Sequence, residues 1–261
     1  MENQKFADIV RFIRRQYPNV EGTIPLHAPC FVGPEKENLT ECVDSTYVSY
    51  VGPFVKKFEE QIAEYTGARH AVAMVNGTAA LFMILHAMGI GAGAAVITQA
   101  LSFAATANAI AQTGATPFFV DVDQDTFGMS PVALDAFLHE QCAVTDDGVT
   151  HKATGLKVGA VMPMHTFGMP MRIKQTRSIC EQWGLPLIED AAESLGSFID
   201  KQHTGTFGYA AALSFNGNKA VTTGGGGMVL TNDDELAQKI RHLSTTAKMP
   251  HPYEFFHDEV G

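Results

Sequence analysis

Four short stretches set reactive side chains where an apolar segment is ending. Lys219 stands in SFNGNKAVTTGGGG, residues 214 to 227, between the end of an apolar run and four successive glycines, with Ser214 five residues ahead of it. A lysine amine can act as a nucleophile toward a carbonyl. Asp190 closes LPLIED, and Glu193 follows three residues later, so the two face the same side if the segment turns helically. Asn76-Gly77-Thr78 follows HAVAMV and opens a helical pattern. A helix start with a glycine and a hydroxyl offers free N–H groups and a positive dipole end to an anion such as a phosphate. His165, in MHTFG, follows another apolar segment. Each stretch alone also has an ordinary structural reading: a solvated lysine, an acid that caps or binds metal, a plain turn, a structural histidine.

The elements that must position these residues follow a strand-then-helix rhythm from about residue 70 onward. HAVAMV, AVIT, TPFFVDV, KVGAVMP, LPLIED and GMVLT are short apolar runs that read as buried strands. Between or after them come helical patterns: GTAALFMILHAMG, SFAATANAIAQTG, SPVALDAFLHEQC, MRIKQTRSICEQWG and NDDELAQKIRHLS. Ser130 is the expected N-cap of the third, with Pro131 at its first position. Such alternation predicts right-handed crossovers and a mostly parallel sheet flanked by helices, in which ligands bind at the carboxyl ends of the strands. The fold class is therefore α/β. Residues 141–155 read as a polar excursion without periodicity, and residues 1–66 as helices and extended segments laid around the sheet.

Composition excludes several classes of function. With 18 Lys and Arg against 28 Asp and Glu, the net charge of -10 disfavours nucleic acid as a partner. The one basic cluster, Arg11, Arg14 and Arg15, reads as the solvated face of an amphipathic helix. Cys30, Cys42, Cys142 and Cys180 form no C-x-x-C pair, so no zinc site or redox dithiol is expected, and reduced thiols suit a cytoplasmic protein. The opening MENQKFADIV has no apolar core of a secretory signal. Residues 79 to 97 are nearly all apolar, yet His86 with Gly89, Gly91 and Gly93 divides them into a helix, a turn and a strand, so no membrane span is expected. The glycines 224 to 227 precede a strand rather than opening a helix, which argues against a dinucleotide loop.

Taken jointly, a lysine nucleophile, an aspartate able to pair with a ring nitrogen, and a helix start with hydroxyls able to hold a phosphate describe pyridoxal phosphate chemistry. The sequence resembles the sugar-nucleotide aminotransferases of the DegT/DnrJ/EryC1/StrS family. The resemblance is carried by IPLHAPCFVGPE (24–35), GPFV with its following FE (52–63), NGTAAL (76–81), SFAATANA (102–109), FVDVD (119–123), HTFGMP (165–170), EDAAESLG (189–196) and SFNGNK with TTGGGGM (214–228), in this order along most of the chain.

That resemblance implies the large domain of a fold type I pyridoxal phosphate enzyme, with residues 1–50 as an N-terminal segment, 51–261 as the cofactor-binding domain, and a smaller C-terminal domain expected beyond Gly261. It implies Lys219 as the lysine that holds the cofactor as a Schiff base and shuttles a proton, and Asp190 as partner of the ring nitrogen. Gly77, Thr78 and Ser214 match the phosphate-binding positions, Phe103 the aromatic over the ring face, and Glu193 a position near the ring hydroxyl where many members carry glutamine or histidine. No metal is expected. Gly225 stands where many relatives have an acid, and Ala94 and Ala95 replace polar residues before a strand; neither removes a catalytic group. The activity implied is transfer of an amino group from glutamate to the C4 ketone of a nucleotide-linked 4-keto-6-deoxy sugar. Within the family the wording is closest to the enzymes of UDP-linked N-acetylhexosamines in the bacillosamine and legionaminic acid pathways, with perosamine-type enzymes near. The alternatives are a sugar dehydratase on the same scaffold, against which Lys219 tells because histidine replaces it there, and a non-catalytic binding remnant. A homodimer is also expected, from the resemblance and from apolar helices such as AALFMILHAMG and SFAATANAIAQ that one sheet domain would leave uncovered.

Overall fold

A computed structural model describes residues 2–249 and 256–261. Compactness divides the chain after Gly33 into Met1–Gly33 and Pro34–Gly261, so residues 34–50 group with the larger unit, whereas the sequence-based division lies at 50/51. The smaller unit holds the helix Glu2–Gln16, which ends on Arg14 and Arg15.

In the larger unit, nine strands form the main sheet in two parts. One four-stranded part runs His70–Met74, Gly227–Thr231, Ala210–Ser214, Ile188–Asp190; the other, five-stranded, runs Thr116–Val120, Ala94–Gln99, Lys157–Met162, Gly148–His151, Cys142–Thr145. Parallel bridges from Val161 to Leu187 and from Met164 to Asp190 join the two. The Asp190 amide donates to Pro163 O at 2.8 Å and the His165 amide donates to Asp190 O at 3.0 Å. Gly227–Thr231 is antiparallel to both neighbours, and the pairings of Ala210–Ser214 with Ile188–Asp190 and of Ala94–Gln99 with its neighbours are parallel. One edge of the sheet therefore gathers Asn76, Gln99, Met164, Asp190, Ser214 and the start of Gly227–Thr231.

The apolar run after Asn76 folds as expected into the helix Gly77–Ala87 and the strand Ala94–Gln99. Asn76 caps this helix by accepting the Ala79 amide at 2.7 Å. Ala80, Leu81, Ile84 and Leu85 are buried. They share one core with Ala109 and Ile110 of the helix Ala104–Gln112, Val96, Ala212 and Val229 of the sheet, and Ile240 of the helix Asp234–Ser244. The other side of Gly77–Ala87, with Ala79, Phe82 and Met83, is only half-buried. Among the described residues, no helix is long and apolar enough to cross a membrane.

Ser130 caps Pro131–Gln141 as expected, accepting the Ala133 amide. Residues 141–155 differ from expectation. Cys142–Thr145 and Gly148–His151 form an antiparallel hairpin whose Thr150 pairs with Lys157 at the start of that strand. A tight turn closed by Gly148 (φ 108) makes it possible, and Cys142 and Val149 supply its buried face.

Candidate active site

Asp190 ends the strand Ile188–Asp190 with its side chain buried. Its Oδ2 accepts the Thr106 hydroxyl at 2.6 Å and its Oδ1 accepts the Ala192 amide at 3.2 Å. Burial pushes the carboxyl above the ordinary carboxylate range, opposed by the Thr106 hydroxyl, the Ala192 amide and the positive charge of Lys219. Thr106 reaches Asp190 from the first turn of Ala104–Gln112, and its hydroxyl also lies 2.8 Å from Ser102 Oγ.

Lys219 lies in the loop that leaves Ser214 and returns as Gly227–Thr231, its amide donating to Asn216 O at 2.9 Å. Its Nζ donates to Glu193 Oε1 at 2.8 Å, with only 12% of the lysine side chain and 25% of the glutamate side chain exposed. The same Nζ stands 5.8 Å from the ring centroid of Phe103, which caps Ala104–Gln112 and is 67% exposed. Glu193 Oε2 accepts the Phe167 amide at 3.0 Å. Phe167 itself has φ 56, a left-handed conformation costly for a bulky residue, and Gly168 follows with φ 76. A Cβ on Gly168 would meet Glu193 O at 2.4 Å, so only glycine lets the two turns approach.

The start of Gly77–Ala87 approaches Ser214 from the other side. A Cβ on Gly77 would lie 2.9 Å from Ser214 Cβ and 3.3 Å from its Oγ, so the missing side chain is what brings the helix start against that hydroxyl. Gly227 likewise has no room for a Cβ against Asn76 O. Thr78 is half-buried on the first turn. The structure thus brings Lys219, Glu193 and Phe103 together, sets Asp190 on the neighbouring strand end, and lays Gly77, with Thr78 following it on the helix, against Ser214. These groups offer an amine, a buried carboxylate, an exposed ring face and an anion-ready helix start.

Glu189, Thr106, Gln99 and Phe167 are the residues that sequence reasoning did not single out. Glu189 is fully buried, and its Oε1 accepts the Phe207 and Gly208 amides, each at 2.7 Å. Its Oε2 accepts the Gly205 amide at 2.8 Å and the His165 Nε2 at 2.9 Å. His165 Nδ1 accepts the Met171 amide at 3.3 Å, which leaves the ring proton on Nε2 and makes His165 a structural residue with both nitrogens occupied. The signal was present: consecutive residues of a strand point to opposite faces, so Glu189 and Asp190 at the end of an apolar strand require separate sets of partners. Gln99 ties three loops at this edge. Its Nε2 donates to Leu101 O, Phe127 O and Thr166 Oγ1, and its Oε1 accepts the Met129 and Met164 amides.

The chain matches the model of the DegT/DnrJ/EryC1/StrS aminotransferase family over residues 29–261. It is 38% identical over 238 residues to the putative pyridoxal phosphate-dependent aminotransferase EpsN of Bacillus subtilis (strain 168), covering 91% of this chain and 58% of that protein. It is 39% identical over 238 residues to the GDP-perosamine synthase of Escherichia coli O157:H7, covering 91% of this chain and 61% of that one. Among solved structures, DesI, determined in the presence of its TDP-sugar product, superposes with a TM-score of 0.70 at 37% identity over 81% of this chain and 49% of its own. The 3-amino-5-hydroxybenzoic acid synthase superposes at 0.79 and 28% identity over 92% and 59%. The chain spans 58% and 61% of the length of the two curated relatives.

Proposed function

The chain belongs to the DegT/DnrJ/EryC1/StrS aminotransferase family, and on that premise we propose that it is the large domain of an aminotransferase that uses pyridoxal phosphate to place an amino group on a nucleotide-linked sugar. The carrying observation is the convergence of Lys219 Nζ, held 2.8 Å from Glu193, with the buried carboxylate of Asp190 at one sheet edge. The residues present suit the cofactor: Gly77 lets the helix start lie directly against the Ser214 hydroxyl, and the donor set contains one part-buried amine and one buried carboxylate.

When bound, pyridoxal phosphate supplies a reactive carbonyl and a ring that takes up the electrons of a bond being broken. The chain's own residues would divide the work. Lys219 would supply the amine that holds the cofactor and would accept and return a proton at Nζ as general base and acid. Asp190, presented by Thr106 and the Ala192 amide, would pair with the ring nitrogen. Gly77, Thr78 and Ser214 would bind the phosphate through amides and hydroxyls at the helix start. Phe103 would cover a ring face, and Glu193 would stand near the ring hydroxyl.

The finer reading is a 4-keto-6-deoxy sugar as acceptor at C4, glutamate as donor, a homodimer and a cytoplasmic location. The family supports the acceptor class: the relatives include a GDP-perosamine synthase, and DesI was solved with a TDP-sugar product. The test is chemical. Protein mixed with pyridoxal phosphate should turn yellow, and borohydride should fix the cofactor on the peptide containing Lys219. Fixation on another lysine refutes the assignment. A screen of 4-keto nucleotide sugars with glutamate, run on the longest available form of the protein, tests the acceptor and donor.

A further inference from the structure

The turn His165–Gly168 carries a feature that the proposed reaction does not by itself require. Phe167 holds a left-handed backbone (φ 56) although it is a bulky aromatic, and its exposed ring, 74% accessible, takes part in no ring contact among the described residues. Strain of this kind persists only where neighbouring structure enforces it, and it gathers at functional sites. Three contacts enforce it here. The Phe167 amide donates to Glu193 Oε2 at 3.0 Å. Ser197 Oγ donates to Gly168 O at 2.6 Å. Gly168 passes so near the Glu193 carbonyl that no side chain fits between. All three tie the turn to the segment that carries Glu193. What the strained amide gains is one oxygen of that carboxylate, and the other oxygen is the one that meets Lys219 Nζ.

From this geometry we propose that Glu193 is a positioning residue for Lys219: clamped by the Phe167 amide, it fixes the direction of Lys219 Nζ beside the Phe103 ring until a carbonyl substrate displaces it. The clamp fixes one carboxylate oxygen so that the other presents a single direction to Nζ. The Phe103 ring face, 5.8 Å away, adds a second attraction on the same cation. The amine is thereby presented to the site in one direction, with its contact to Glu193 covering it. This rests on the reading of Lys219 as the reacting amine, but concerns the state of that amine before any cofactor arrives.

The experiment reads the reactivity of Lys219 in the cofactor-free protein, using cyanate at one fixed pH and peptide mapping, with exposed Lys201 and Lys239 as internal references. Glu193→Gln keeps shape and removes the charge. Loss of this charged hydrogen bond releases Nζ from its held position, so Lys219 in this variant should carbamylate about tenfold faster while the reference lysines stay unchanged. Gly168→Ala, which pushes the turn off Glu193, should move Lys219 in the same direction. Lys219 reactivity within about twofold of the parent in Glu193→Gln would overturn the proposal, as would an equal rise at every lysine, which reports general loosening. This readout stands apart from the functional reading, which fails on its own ground if borohydride fixes no cofactor on Lys219.

Discussion

The hydroxyl of Thr106 lies 2.6 Å from Asp190 Oδ2, so the carboxylate at the centre of the site is aimed by a residue from a different element of the fold. That hydroxyl is also what partly offsets the cost of burying Asp190. Thr106→Val keeps shape and removes the donor. A hydrogen bond to a charged group is worth roughly 1.5–3 kcal/mol, so affinity for pyridoxal phosphate should fall by about tenfold or more. Thr106→Ser should restore most of it. Spectroscopic titration with the cofactor decides; unchanged affinity in Thr106→Val would show that Asp190 needs no such help.

The burial of Asp190 has a consequence for stability against pH. Its carboxyl is raised in the folded chain, above the ordinary value that it regains on unfolding. Between about pH 4 and the raised value, the folded protein retains a proton that the unfolded one releases. Stability contributed by the protonated form is therefore present below that window and lost as pH rises through it. The cofactor-free protein should melt at progressively lower temperature over that range, and Asp190→Asn should flatten the dependence and melt higher at neutral pH. The same variant should gain far less stability from added cofactor. Parallel melting curves for both proteins across the range would assign the titration elsewhere.

Gly77 offers a steric test of the proposed phosphate site. Its absent side chain is what allows the helix start to meet Ser214. Gly77→Ala must displace one of them, and overpacking of this kind costs roughly 1–3 kcal/mol. Cofactor affinity should drop with the helix start pushed away, while Thr78→Ser, which keeps the hydroxyl, should bind nearly as the parent does. Calorimetric titration with pyridoxal phosphate measures both; tight binding by Gly77→Ala would move the phosphate to another place.

How far the fold and the site were legible depends on which residues speak through local pattern. The strand and helix rhythm was readable because buried parallel strands are short apolar runs and their helices carry caps such as Asn76, Ser130 and Asp233. Lys219, Asp190 and Gly77 stood out because each is an unusual residue at the end of such a run. The hairpin at 142–151 was not legible: its few buried side chains, Cys142 and Val149, are interspersed with polar ones on strands of four residues. Glu189, Thr106 and Gln99 stayed silent for a related reason. Their importance lies in partners distant along the chain, such as the amides of residues 205–208 for Glu189, and periodicity carries no record of these.

The antiparallel strand Gly227–Thr231 also governs when the protein can become competent. It lies between Ala210–Ser214 and the edge strand His70–Met74, pairing Thr231 with His70 and Gly227 with Met74. The strand His70–Met74 thus has no sheet partner until Gly227–Thr231, far along the chain, has been made, and such distant pairings are the slow steps of assembly. Until that wedge is in place, the strand that leads into Gly77 is unpaired in the sheet. Acquisition of cofactor would then mark the moment of closure, with a nascent chain lacking residues 227–231 unable to acquire it however well its other strands have docked.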